Sequence, residues 1–466
     1  MVHQHKLQWL FALFAVLALA TAAVVVAPPF TSAGNAGHQP RDEDCDDTTF
    51  GATIPQPKLG KLKKLPLAPD SARVDFATPS FSDPTNITNP LFPISGLHSA
   101  VLLGSVDGLP FRTETTLLPD TKTICFNGQE VETAVSQYAA FSDGRIHEVA
   151  LDFYAQADDG SVWYFGEDVF NYEDGVVANT DGTWLAGEDG PAAMIMPASP
   201  QPGDVYRPEN APPIFEEVTV MAVGLTVDGP DGPVGGAILI QELHADGAFE
   251  EKYFAPGYGE FSTGNVGGDL EAIALAVPTD ALPGPVPAQL ATLEAGAGAI
   301  IDAAASSDWS SAAATLATMT AAWAAYQAAG PVPPMLEDQL DTALGNLEAA
   351  LSAGDAAATG TTAVQVARSS LDLQLRHRAP AEIDLARFGL WARQTIIDAA
   401  AGDPAGVLGD ATALEWARDR FAHTLGASDL EELNDLLAEL REAADDEDLE
   451  AAAEAAAQLL DLLAGL

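Results

Sequence analysis

Basic residues are scarce in this chain, and their scarcity excludes more than any motif establishes. Lys and Arg together number 20 against 68 Asp and Glu, a formal net charge of -48, and no Lys follows Lys252. Gripping a phosphate backbone needs a positive surface, so nucleic acid is excluded as a partner and an anionic membrane surface is disfavoured. Divalent cations and basic partners are favoured, through the long-range field alone. A high-salt habitat or an Ala/Asp-rich genome accounts for the same bias without any function. Cysteine is nearly absent, with only Cys45 and Cys125. In an oxidising compartment the default is one disulfide between them, and neither has a His at metal-ligand spacing beside it. Catalytic motifs are missing too. There is no G-x-S-x-G, S-x-x-K, H-E-x-x-H or Walker A pattern, which removes the common hydrolase, metalloprotease and nucleotide-binding readings. A Ser-His-Asp site assembled across the fold stays open.

Apolar residues are plentiful at 47% of 466 residues. They argue for packed cores, and the length for two or three domains. The only long apolar run, residues 9–26, follows His3, His5 and Lys6, as in a secretory signal, with small residues near Ala33 and Ala36 for cleavage. Residues 1–33 therefore read as a signal peptide, with an uncleaved N-terminal membrane anchor as the alternative. Cys45 follows acidic residues and lacks the context of a lipid-attachment site. Residues 34–75 read as a linker, acidic from Asp42 to Asp47 and basic at Lys58, Lys61, Lys63 and Lys64. Asp42, Asp44 and Asp46 alternate but lack the Gly and distal Glu of an EF-hand, and Asn179 with Asp181 is only a turn-like fragment.

From residue 76 to 277 the pattern becomes strand-like. Asp143-Gly144, Asp159-Gly160, Asp174-Gly175, Asp181-Gly182, Asp189-Gly190, Asp231-Gly232 and Asp246-Gly247 mark reversals between alternating runs. Short connections predict an antiparallel meander, curled into a half-barrel, barrel or sandwich. Asp152, Tyr154 and Gln156 fall on one face of a strand over residues 149–156. Glu148, Asp152, Glu167 and Asp168 surround an aromatic hairpin and read first as solvent-facing acids, with acid–base work as the sharper alternative. Tyr154, Trp163, Tyr164 and Phe165 read as core and rim, or as the lining of an apolar ligand cavity in a half-barrel.

The runs ALDFYAQADDGSVWYFGEDV (150–169), PASPQPGDVYRPE (197–209) and KYFAPGYGEF (252–261) resemble signatures of an uncharacterised family of bacterial secreted β-domain proteins, over about residues 85–265. The resemblance implies an envelope location and a β fold, and carries no activity.

Residues 278–286 form a Pro-rich linker. Beyond it, over residues 287–466, Ala dominates and helices are predicted near 287–305, 308–328, 334–352, 355–378, 380–401, 404–424, 428–443 and 446–464. Asp308, Asp355, Asp403, Ser428 and Asp429 read as capping residues. An antiparallel bundle follows, so the fold class is α+β. Leu430, Leu433, Leu437 and Leu440, with Leu449, Leu459, Leu460 and Leu463, form an apolar stripe that is core or a homodimer seam.

His377 ends one predicted helix, Glu382 and Asp384 open the next, and Asp419 and His423 share a face of the one after. If those helices pack antiparallel, the five side chains gather at one end of the bundle as ligands for a divalent transition metal. Ion pairing is the competing expectation, because Arg376, Arg378, Arg387, Arg393, Arg418 and Arg420 stand near Glu382, Asp384, Asp398, Glu415 and Asp419. Trp391 and Trp416 read as core anchors. The sequence thus points to an exported, non-catalytic binding protein for a small ligand or envelope partner. Metal binding or delivery through the helical unit is the second reading, and a hydrolase on the β unit the third.

Overall fold

The computed structural model describes residue 62, residues 64–264 and residues 268–466. The expected signal, Cys45, the acidic run from Asp42 and the lysines at 58, 61 and 63 lie outside the described residues. Cys125 is disulfide-bonded.

Fourteen strands form one sheet: β1 (Ser99–Val106), β2 (Leu109–Phe126), β3 (Gln129–Ser142), β4 (Arg145–Gln156), β5 (Val162–Glu173), β6 (Val176–Asn179), β7 (Trp184–Leu185), β8 (Ala193–Met196), β9 (Val205–Ala211), β10 (Ile214–Gly229), β11 (Gly232–His244), β12 (Phe249–Ala255), β13 (Gly259–Gly264) and β14 (Leu270–Val277). The hydrogen-bonded order is β6-β5-β4-β3-β2-β1-β14-β13-β12-β11-β10-β9, with β7 and β8 paired to β5. Every ladder is antiparallel. The expected meander is therefore present, in two arms that join where the first strand meets the last.

The turns explain the short arm connections. Asp107-Gly108, Asn127-Gly128, Asp143-Gly144 and Asp174-Gly175 all have positive φ at both residues. That is the backbone of a type I′ hairpin, whose twist matches its flanking strands. The sheet curls until its ends approach. The carboxyl groups of Glu167 on β5 and Glu209 on β9 come close enough to shift each other's protonation. One core holds Phe153, Tyr154 and Phe165 from one arm and Tyr206, Val218, Ile240 and Phe254 from the other. Phe92, from the segment before β1, plugs the concave face: its ring centroid is 5.0 Å from that of Tyr154 and 6.4 Å from that of Phe254.

Eight helices follow: α1 (Ala288–Ala305), α2 (Trp309–Ala329), α3 (Pro334–Ala353), α4 (Ala356–Gln374), α5 (Pro380–Ala401), α6 (Pro404–Phe421), α7 (Ala427–Asp445) and α8 (Leu449–Leu463). Asp308, Asp355 and Asp403 cap α2, α4 and α6 by accepting from the N–H groups of Ser311, Ala358 and Gly406. Asp448 caps α8 in the same way. Ser428 and Asp429 do not cap; Gly426 takes that position and both lie in the first turn of α7. The breaks fall where Gly and Pro placed them. Gly354 and Gly402 end α3 and α5 in the left-handed conformation, and Pro334, Pro380 and Pro404 open α3, α5 and α6.

The helices pack as two groups against the convex face of the sheet. Leu275 and Val277 of β14 join the core of α1–α4. Phe141, Ile146, Val149 and Tyr172 of β3–β5 join the core of α5–α8. Phe141 stacks on Trp391, centroids 5.5 Å apart, and Trp416 donates from its indole nitrogen to the Tyr172 hydroxyl at 2.7 Å. Both tryptophans are thus anchors between sheet and helices. Leu433, Leu437, Leu440 and Leu459 of the apolar stripe are buried within this second core. Among the described residues no helix is long and apolar enough to cross a membrane.

Candidate functional site

The five helical residues do not converge. Glu382 is exposed and pairs with Arg378, Nε–Oε2 3.2 Å. Asp384 is buried beside Arg387 at 3.2 Å and Arg420 at 3.7 Å. Asp419 is bound by Arg418. His377 sits on the turn after α4, where burial lowers its pKa, and His423 is exposed on the short 3-10 turn that follows α6. Arg145 takes Asp398 and Arg441 takes Glu415. The carboxylates expected as metal ligands are held by guanidinium groups, which are permanently charged and bind a carboxylate in a fixed fork. The ion-pair expectation describes this region.

Part of that network is a buried cluster between sheet and helices. Arg112 on β2 binds Asp372 on α4 with two hydrogen bonds of 2.7 and 2.8 Å. Arg387 reaches Asp372 at 2.7 Å, and Arg420 reaches Glu114 at 2.5 Å. Three guanidinium groups face Glu114, Asp372 and Asp384, with the Arg368 guanidinium alongside on the Trp391 ring, so each carboxylate is paired in a place where an unpaired ion would be costly.

The concave face is different. Register places side chains on it by alternation. Asp152 lies opposite Glu167, and Glu148 shares the face of Asp152 on β4, with Ala150 between them. Glu209 lies opposite Glu216, Glu216 opposite His244, and Glu242 opposite Glu250. Lys252 lies opposite Thr263, and Thr263 opposite Glu271. Among the described residues, the cationic side chains that register puts on this face are Lys252 and His244. Glu148 and Asp152 are buried, so they are not the solvent-facing acids expected from an acidic chain.

Such crowding changes protonation. Burial and the charge of Asp152 push Glu148 up to about 7. Burial lifts Asp152 to about 7 against a hydrogen bond from the Tyr164 hydroxyl, which donates to it at 2.6 Å. Burial, helped by Glu260 and Glu250, lifts Glu271 to about 8. Carboxyl groups of this kind bind protons more tightly than free ones, because burial and like charges outweigh the cations within reach.

Toward the β11–β12 turn the same face gathers a tighter group. His244 lies 3.1 Å (Nδ1) from Glu216 Oε1, 3.9 Å (Nε2) from Glu242 Oε2 and 3.7 Å (Nε2) from Glu250 Oε2. Carboxyl oxygens of Glu216 and Glu242 lie within 4.8 Å of each other. The Lys252 ammonium is 2.8 Å from Glu242 Oε2. Burial opposes the charge of His244, but Glu216 and Glu250 outweigh it and raise the imidazole to about 11. In Glu216, likewise, His244 outweighs burial and keeps the carboxyl ionised. Burial and the neighbouring Glu216 charge raise Glu242. Side-chain exposure grades from 4% at Glu242 to 31% at His244, so the group opens to solvent at its His244 end.

Among the described residues this is the one group of three or more His, Cys, Asp or Glu whose ligand atoms, in Glu216, Glu242 and His244, lie within 4.8 Å of one another. Sequence reasoning did not assemble this group. The available signal was Glu242-x-His244 on a strand over residues 237–243 and just beyond, because residues two apart share a face. Glu216 carries no such mark; its contact with His244 depends on the β10–β11 register.

No protein-family model matches the chain, and no curated protein is similar to it.

Proposed function

We propose that this is an exported, non-catalytic binding protein whose concave sheet face receives a cationic ligand. The observation that carries the reading is the convergence of Glu148, Asp152, Glu167, Glu209, Glu216, Glu242 and Glu271 on one partly open face, against only Lys252 and His244 among the described residues. A concave, low-dielectric wall of one charge sign attracts and retains ions of the other. Export is supported by the apolar run of residues 9–26 and by the disulfide at Cys125, which suits an oxidising compartment.

The test is equilibrium dialysis of the mature protein against divalent metal ions, a polyamine and a basic amino acid, at low and high ionic strength. One-to-one binding of at least one cation is expected, weakened in an Asp152→Asn/Glu167→Gln variant. If no cation binds above the level of a neutral control solute, the reading fails.

A hydrolase reading draws on one specific feature, the lift of Glu148 and Asp152 to about 7, which is the range a general acid–base group needs. Turnover of chromogenic esters or glycosides, abolished by Asp152→Asn, would favour it over simple binding.

A further inference from the structure

We propose that Glu216, Glu242 and His244 form a binding site for a divalent transition-metal ion, which enters by displacing the Lys252 ammonium from Glu242 and a proton from the His244 imidazolium to solvent. The proposal rests on the reading that the concave face receives cations, and it names the cation and the place.

The donor set is the first ground. One imidazole and two carboxylates lie within 4.8 Å of one another on adjacent strands, so the backbone ladder of β10 and β11 holds them together without a loop. A nitrogen donor among oxygens suits zinc, manganese, cobalt or iron(II). Calcium and magnesium take sites made of oxygen alone. Glu250, 3.7 Å from the imidazole, is placed to orient the ring, as carboxylates beside metal-bound histidines do.

The second ground is independent of the acidic group. Tyr206 is 1% exposed and its hydroxyl has no hydrogen-bond partner. Tyr206 lies opposite Val218, and Val218 opposite Glu242, so the phenol shares the concave face with Glu242, with one strand between them. Glu242 and Lys252 are the charges it feels most. On the other side of Lys252, Thr263 Oγ1 and Glu271 Oε1 are also buried without hydrogen-bond partners. A native interior rarely leaves polar atoms orphaned, and water or a ligand normally completes them. A metal ion at Glu242, with its bound waters, supplies donors to this row.

Lys252 provides the discriminating feature. Its ammonium already neutralises Glu242 at 2.8 Å, so it competes with any metal for that carboxylate. Lysine is a flexible point charge and can swing outward, which a guanidinium held in a fork would resist.

The experiment is titration of the metal-stripped mature protein with Co2+, followed by the visible absorption of bound cobalt, with Zn2+, Mn2+, Ca2+ and a polyamine measured in parallel by dialysis. We expect one equivalent of Co2+ or Zn2+, with Ca2+ much weaker. His244→Ala should weaken binding by about a hundredfold or more, since even outer-shell losses cost about 10–100-fold. Glu216→Gln serves as the second ligand variant if His244→Ala does not fold. Lys252→Met should tighten binding about tenfold or more, because it removes a unit charge from the carboxylate. Near-UV circular dichroism without metal establishes that each variant is folded. Polyamine binding without metal binding would overturn the site and leave the cation-receiving face standing. Absence of both would sink both. Metal binding that ignores His244→Ala, Glu216→Gln and Lys252→Met would place the ion elsewhere and overturn the proposal.

Discussion

Arg112 and Asp372 meet through two parallel hydrogen bonds of 2.7 and 2.8 Å, joining β2 to α4 across 260 positions of sequence. Both are buried. Around them Arg112, Arg387 and Arg420 pair with Glu114, Asp372 and Asp384, and the Arg368 guanidinium stands alongside. Asp372→Leu leaves an excess guanidinium charge in the interface and should cost roughly 3–5 kcal/mol. Arg112→Met with Asp372→Leu restores the balance and should cost less than that single change. Chemical denaturation of the wild type and both variants checks the order.

Stability should fall as pH rises from about 5 to about 8. Glu148 is held near 7 by burial and by Asp152, against an ordinary value of about 4.3 in the unfolded chain. Its folded pKa is raised, so its contribution is fully present below the unfolded value and is lost as pH passes through the folded one. For Glu148 alone the change is on the order of 3 kcal/mol. Glu271, raised to about 8, acts in the same direction. Asp372, held low by Arg112 and Arg387 against burial, acts oppositely: its contribution is lost only as pH falls through its own depressed value. Urea midpoints across pH 4.5–8.5 should show the decline, and Glu148→Gln should flatten it.

Gly175→Ala should destabilise the fold by roughly 2–4 kcal/mol. Gly175 has φ of +80°, and a Cβ there would stand 2.3 Å from the backbone nitrogen of Gly409 on α6. The β5–β6 turn is pressed against that helix, where Thr412 donates to the Gly175 carbonyl at 2.9 Å. Gly144 is also at +80°, but a methyl group there would meet nothing within 4 Å, so it should tolerate Ala at about 1 kcal/mol. A thermal melt of the two variants separates turn strain from collision.

The His377→Ala/His423→Ala double variant should bind divalent metal as the wild type does. His423 is exposed, and Asp384 and Asp419 are paired with arginines. Loss of binding in this variant would return the metal to the helical unit.

The helical half was readable because its punctuation is local. Asp308, Asp355 and Asp403 cap where they stand in the chain, and Gly354 and Gly402 end helices by their own φ. The hairpins at Asp143-Gly144 and Asp174-Gly175 were readable for the same reason. The Asp107-Gly108 and Asn127-Gly128 turns carry the same chemistry, and they set up the long strand β2. What the residues did not reveal was anything set by pairing. Glu148 and Asp152 read as surface acids because nothing near them says the sheet closes over them. His377, Glu382, Asp384, Asp419 and His423 read as ligands because helix lengths bring them to similar heights, yet each arginine partner claims its carboxylate first. Glu216 and His244 are made neighbours only by the β10–β11 register.

The order β1–β14 carries a consequence for how the chain matures. During synthesis, β1 emerges with one edge unpaired and keeps it until Leu270–Val277 arrives to complete the ladder. Unpaired edges invite foreign strands. The helices that cover the convex face come later still, since Leu275 and Val277 must be in place before α1–α4 can pack on them. Both halves therefore wait on one late segment, and a chain cut short before residue 270 would present an open, sticky ribbon where the finished protein has none.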